Sequence, residues 1–190
     1  PGLGIFRSEI DLREQLKIAS EIPAKESQNR NLLLNARIAR EALFLSPGVW
    51  KRNNGAIDID LFRNTRVTAG LDLSIRNDLT ACVLAAKDSD GVVHVLPFVF
   101  CPARGIEERS KKDRAPYDVW AKSGDIIPLG IEVVDYDVVA AYLRDTLDEM
   151  GITIDEIHFD DWNMENFMAA CRREKVFSYA KWVNVRQGYK

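Results

Sequence analysis

Cysteine is scarce in this chain. Cys82, Cys101 and Cys171 are the three in 190 residues; they are odd in number, far apart and without a CxxC pair. That spacing argues against a disulfide framework and against a zinc site, and it fits a reducing cytoplasm. Positive charge is not in surplus either. A formal net charge of -3 supplies no bulk attraction to nucleic acid, so any such binding has to come from a local basic patch. No apolar run approaches the length of a membrane span, and the opening PGLGIFRSEI has neither a basic n-region nor an apolar h-region. A GxxxxGK[ST] phosphate loop is missing, so the N-terminal segment is not by itself a nucleotide-binding unit. The first residue is Pro1 rather than Met, which suggests a piece of a longer protein.

What is present is the composition of an ordinary soluble globular protein, 46% hydrophobic and 29% charged. One domain plus an appendage is the expectation. Residues 1–65 read as the appendage, a helical segment and linker: a helix from Ser8 to about Ser20, a second from about Lys25 to Leu45, a breaker at Ser46-Pro47-Gly48, and a linker KRNNGAIDIDLFRN. Residues 66–190 read as the domain.

The domain is organised around RVTAGLDLSIRNDLTAC, residues 66–82. Val67, Ala69, Leu71 and Leu73 alternate with Thr68, Gly70, Asp72 and Ser74, the period of a strand. Asp72 stands out, because a carboxylate between two leucines in a strand fit for burial carries a desolvation cost unless it is paired or bound to a cation. A turn over Ile75–Asp78 leads to a second strand over 79–87. Another turn at Asp88-Ser89-Asp90-Gly91 leads to a third over 92–100, which makes an antiparallel meander. A charged excursion, CPARGIEERSKKDRAPYDVWAKSG, follows; its Arg104, Arg109, Lys111, Lys112 and Arg114 outnumber its acids Glu107, Glu108 and Asp113.

Asp135 and Asp137 can cap the next helix, with Val138, Tyr142, Leu143, Thr146, Leu147 and Met150 on one face and a stop at Gly151. A buried strand from Ile154 to Phe159 then ends in Asp160-Asp161-Trp162. Asn163 is read as the cap of another helix, with Met164, Phe167, Met168 and Cys171 inward, and Trp182–Val185 as the last strand. The order of three strands, helix, strand, helix, strand is that of a mixed sheet flanked by helices, in the α/β class.

Asp160 closes its strand as Asp72 does. If the two strands lie side by side and parallel, both carboxylates emerge at one sheet edge, where a divalent cation relieves their repulsion and supplies a Lewis acid. Hard oxygen ligands select Mg²⁺ or Mn²⁺ over zinc. Aspartates at strand ends are also common caps, and spacing alone leaves that alternative open. Strand parity favours Asp160 over Asp161 and puts Glu156 and His158 on its side. His158 reads as a packed or surface histidine rather than a ligand.

GLDLSIRNDLTACVLA resembles the opening strands of the nuclease domain in tailed-phage large terminase subunits of the HK97-like type, whose pattern is G-hydrophobic-DLS, a short spacer and DLTA. RAPYDVWAKSGDIIPLGIEVVDYDVV, HFDDWN and VRQGYK are similar to further segments of that family in order and spacing, and EIPAKESQNRNLLLNARI resembles the stretch that follows its ATPase domain. The resemblance implies an RNase H-like fold and a Mg²⁺- or Mn²⁺-dependent endonuclease that cuts concatemeric double-stranded DNA during packaging in the cytoplasm of the bacterial host. It also implies a small terminase subunit and a portal protein as partners, and a preceding ATPase domain. Asp72 and Asp160 match the first two metal-binding acids of a two-metal site, with Asp78 and Asp161 as candidates for support, Asp78 reading first as a turn cap. The family's third acid lies beyond the glutamine-glycine segment, and this chain stops at Lys190, so weak cleavage is expected of it. Lys111, Lys112 and Arg114 are read either as meeting DNA phosphates or as a solvated charged loop. Two other classes compete at this point: an actin-like or sugar-kinase-type ATPase, which wants a glycine-rich turn that SIRND lacks, and a non-catalytic docking domain.

Overall fold

The computed structural model of the chain describes residues 8–10, 13–14, 17, 45, 47–74, 78–161 and 163–185. The chain divides into two compact units, Pro1–Ala56 and Ile57–Lys190. In the first, Glu9, Ile10, Arg13, Glu14 and Lys17 are helical. The rest of the helix expected over 8–20, and nearly all of that over 25–45, lies outside the described residues. Pro47 opens helix α1 (Pro47–Arg52), a position where its missing N–H costs nothing because first-turn donors have no intrahelical partner.

In the second unit, the expected linker contains helix α2 (Ile59–Asn64), capped by the Asp58 carboxylate, which accepts from the Asp60 N–H. Phe62 of α2 is 1% exposed and belongs to the core. Arg63 pins the helix by donating to the Met150 carbonyl and to Asp60.

Strands β1 (Val67–Asp72), β2 (Thr80–Lys87) and β3 (Val93–Cys101) form the expected antiparallel meander. The charged excursion is not irregular. It holds helices α3 (Ile106–Asp113) and α4 (Tyr117–Ser123) and leads to a short strand β4 (Ile127–Pro128), parallel to β3. None of the residues of α3 or α4 is buried; α3 has no apolar stripe to announce it, and α4 is too short, at seven residues, for a helical period to repeat.

Helix α5 (Tyr136–Met150) crosses over to β5 (Glu156–Phe159), helix α6 (Met164–Glu174) follows, and β6 (Lys181–Asn184) ends the described sheet. The strand order is β4-β3-β2-β1-β5-β6, with β5 parallel to both β1 and β6. β1 is therefore interior, and its pairing with β5 runs from Thr68↔Glu156 to Leu71↔Phe159.

The core lies between one face of this sheet and helices α5 and α6. Val67, Ala69, Leu71, Leu84, Phe98, Phe100 and Ile157 meet Val139, Leu143, Leu147, Phe167 and Cys171 there. The inward stripe of α5 is Val139, Ala140, Leu143 and Leu147, rotated by about one residue from the expected set, so that Val138 is exposed. Two cap readings change as well. Asp135 alone caps α5, while Asp137 pairs with Arg173. Asn163 makes no side-chain cap bond and sits in the left-handed region at φ 54.

Candidate active site

The sequence's own alternation positions the site. In β1, Val67, Ala69 and Leu71 are buried on the helix side, so Thr68, Gly70 and Asp72 face the opposite way. This corrects the expectation that Asp72 is buried: its neighbours Leu71 and Leu73 are buried at 8% and 7% exposed, and the carboxylate points out from between them as an exposed group. Parity gives the same result in β5, where Ile157 is fully buried and Glu156, His158 and Asp160 share the other face.

The parallel register brings the two acids together. The last β1–β5 pair is Leu71↔Phe159, and each aspartate is the next residue on its strand. Neighbouring strands run about 4.8 Å apart, so Asp72 and Asp160 leave one sheet edge side by side. A shallow depression gathers Gly70, Asp72, Ala81, Val83, His158 and Asp160. The proximity registers electrostatically: partial burial first, then the negative charges of Asp160 and Asp78, hold the Asp72 carboxyl above its ordinary value. A carboxylate raised by a like-charged neighbour is the local signature of a site that a cation would relieve.

The other candidates separate. The Asp78 carboxylate accepts from the Leu79 N–H at 2.9 Å, a turn-capping role, while its charge also bears on Asp72. Asp161 is exposed and accepts from the Asn184 side chain. Glu156 is occupied by Arg66 at 2.8 Å, Lys181 at 3.6 Å and His158 at 3.3 Å. The His158 contact, with Arg66 and Lys181 behind it, holds the Glu156 carboxyl below the usual range. Among the described residues, no group of three or more His, Cys, Asp or Glu side chains converges as a metal cluster. The donor set is thus a pair of hard carboxylates, which suits one oxygen-loving divalent cation completed by water. Burial pushes the thiols of Cys82 and Cys171 up to about 12, so they are packing residues and not ligands.

Helices α3 and α4 spring from the same edge, because β3 ends beside the start of β2 at Thr80↔Phe100. The phenol of Tyr117 in α4 is raised by burial first, then by Asp113, with a contribution from Asp78. Lys111, Lys112 and Arg114 are exposed at the end of α3, and Lys111 and Arg114 line a groove with Ser110 and Pro116.

Sequence reasoning missed a group of polar residues on the helix side of this edge. Thr80 is 1% exposed. Its hydroxyl accepts from the Ser74 N–H and donates to the Ser74 carbonyl, both at 2.9 Å. The Ser74 hydroxyl accepts from the Asp78 N–H at 3.1 Å. Ser74 is thereby tied to Asp78 and Thr80. A lone threonine heading an otherwise apolar strand was the available signal.

These features define an α/β domain with an RNase H-like mixed sheet flanked by helices and paired carboxylates at one edge. The chain belongs to the family described as terminase large subunit, endonuclease domain, whose sequence model matches residues 1–190. It is 41% identical over 167 residues to the large subunit of the terminase of Enterobacteria phage HK97, an alignment covering 88% of this chain and 32% of that protein. Its fold is similar to the crystal structure of the HK97 bacteriophage large terminase, with a TM-score of 0.68 and 36% identity over 99% of this chain and 38% of that one. The chain spans about a third of the length of these relatives.

Proposed function

We propose that this chain is a Mg²⁺- or Mn²⁺-dependent endonuclease domain that cuts concatemeric double-stranded DNA during phage genome packaging. The observation that supports the reading is the juxtaposition of Asp72 and Asp160 at adjacent parallel strand ends, with the charge of Asp160 felt by Asp72. These two residues would hold the metal. When bound, a divalent cation at such a site lowers the pKa of water and stabilises negative charge on a phosphodiester oxygen.

The chain's own residues arrange the rest. Gly70 keeps the floor beside Asp72 open, since a Cβ there would meet nothing within 4 Å, which leaves room for a sugar-phosphate backbone. Lys111, Lys112 and Arg114 supply the local basic patch that a chain of net charge -3 otherwise lacks, and would contact phosphates without reading bases. Two carboxylates hold one cation well and a second poorly, so weak cleavage is expected of the described ligand set. In this reading the domain works in the host cytoplasm alongside a small terminase subunit and a portal protein.

The experiment is Mn²⁺ calorimetry combined with plasmid nicking on the wild type, Asp72→Asn and Asp160→Asn. Loss of Mn²⁺ binding and of nicking in both variants is expected. Unchanged binding in folded variants would overturn the assignment, and heat on adding nucleotide would favour an ATPase.

A further inference from the structure

The ladder between β1 and β5 stops at Leu71↔Phe159, one residue short of each carboxylate. Past that point regular sheet bonding no longer fixes the distance between the two chain ends. Tyr136, the first residue of α5, reaches across them. Its hydroxyl donates to the Ser74 carbonyl at 3.3 Å and accepts from the Asn163 side-chain amide at 3.0 Å. Ser74 lies two residues after Asp72 and Asn163 three residues after Asp160.

We propose that the Tyr136 hydroxyl is the brace that sets the separation of the two carboxylate-bearing strand ends, which makes Tyr136 a positioning residue for the site. The proposal rests on the reading of Asp72 and Asp160 as metal ligands.

Both ends of the brace are themselves fixed. The Ser74 carbonyl also accepts from Thr80, whose own hydroxyl is held by the Ser74 N–H, so a pull on Ser74 is a pull on the start of β2 as well. Asn163 stands at the start of α6, where its side chain could have capped the helix. It makes no cap bond and is instead committed to Tyr136 and, through its oxygen, to Asn166 at 2.6 Å. A helix start that forgoes its cap and adopts φ 54 gives up local stability, and the contact to Tyr136 is what the side chain makes in exchange. The tyrosine ring rests edge-on against Phe167, 5.6 Å between centroids, and Phe167 is fully buried. The aromatic contact needs only the ring, so a phenylalanine would keep it. The hydroxyl is needed only for the bridge.

Tyr136→Phe therefore isolates the brace. In wild type and variant, Mn²⁺ affinity is measured by calorimetry, and amide hydrogen exchange without metal is followed at residues 78–80 and 163–166. The expected result is Mn²⁺ binding weaker by on the order of tenfold, the usual effect of losing a partner behind a metal ligand, with faster exchange at both segments. Plasmid cleavage should show a lower kcat with KM for DNA unchanged, since Tyr136 orients ligands and does not hold substrate. Asn163→Ala removes the other end of the bridge and should give the same pattern should Tyr136→Phe fail to fold. Ile152→Val, a buried change just past the far end of α5, is the control for general loosening and should leave Mn²⁺ affinity alone. Wild-type affinity and exchange in Tyr136→Phe would overturn the brace. Wild-type Mn²⁺ binding by Asp72→Asn would instead overturn the metal reading, and the metal-free exchange data would still decide whether Tyr136 links the two segments.

Discussion

Replacing Asp72 by Asn should move stability in opposite directions with and without metal. The Asp72 carboxyl is raised above its ordinary value of 3.8 by partial burial and by the charges of Asp160 and Asp78. An acid with a raised folded pKa binds its proton more tightly in the folded state, so its ionisation costs stability. The cost is absent well below 3.8, grows as the pH climbs through the raised folded pKa, and is complete above it. Asparagine keeps the shape and removes the charge. Without metal at pH 7 the variant should be the more stable protein, by no more than about 1 kcal/mol because the group is exposed and screened. For a chain of this length that is roughly 2–4 °C in Tm, and the gain should fade as the pH is lowered towards 4. With Mn²⁺ a hundredfold above its Kd, the wild type gains about 2.7 kcal/mol, on the order of 5–10 °C, and the variant little. The assay is thermal melting by circular dichroism at pH 7 and pH 4.5, with and without Mn²⁺. A variant less stable than wild type in the absence of metal would refute the electrostatic argument. An equal metal-induced shift in both proteins would refute the ligand assignment.

Gly130→Ala should destabilise by about 3 kcal/mol or more in urea titration: Gly130 has φ +79 and a Cβ there would clash with the Val133 carbonyl oxygen, so a left-handed cost of about 1–2 kcal/mol is joined by a backbone clash in the turn that delivers Asp135 and Tyr136. Gly70→Val should leave melting unchanged or raise it, because the position is an interior strand site with open space beside it, yet should sharply lower plasmid nicking by filling the depression next to Asp72. The triple variant Lys111→Ala, Lys112→Ala, Arg114→Ala should weaken DNA binding equally across sequences and reduce the slope of log K against log salt by about one for each phosphate that is no longer neutralised; an unchanged slope would remove these residues from the interface.

The meander, the crossover and both carboxylates were legible in the sequence because each is written in a short-range period. The alternation through Val67–Leu73 assigned faces, and the helix between β3 and β5 made a parallel β1–β5 pair available. The same alternation implies more than the expectation drew from it: a residue flanked by two buried leucines in a strand must face the opposite way, and because the sheet is open beside Asp72 on that side, the carboxylate is exposed. Helices α3 and α4 were illegible for a different reason. They bury no residue; α3 carries charge without an apolar stripe, and α4, seven residues long, is too short for a hydrophobic period, the signal on which such readings depend, to repeat. Helices α1 and α2, six residues each, are shorter than a window in which a period can repeat. Asn163 misled because capping statistics describe a side chain with no better partner, and Tyr136, 27 residues away, is invisible to any local rule.

The sheet separates the work of holding the fold from the work expected of the site. On the helix side lie the core and the hydroxyl network of Ser74, Thr80 and Tyr136, while on the other side lie Gly70, Asp72, His158 and Asp160. Because strand neighbours alternate, a residue can belong to one group and touch the other only through the backbone. A substitution on the outer face should therefore alter metal and DNA binding while the core keeps its packing. A substitution in the hydroxyl network should do the reverse of a core cavity: it costs little packing but loosens the strand ends from which the carboxylates project. The distinction gives meaning to the two elements DLS and DLTA in this chain. The aspartate of the first faces outward to the proposed cation site, and the serine and threonine, six residues apart and bonded to each other, hold that aspartate's strand end from behind.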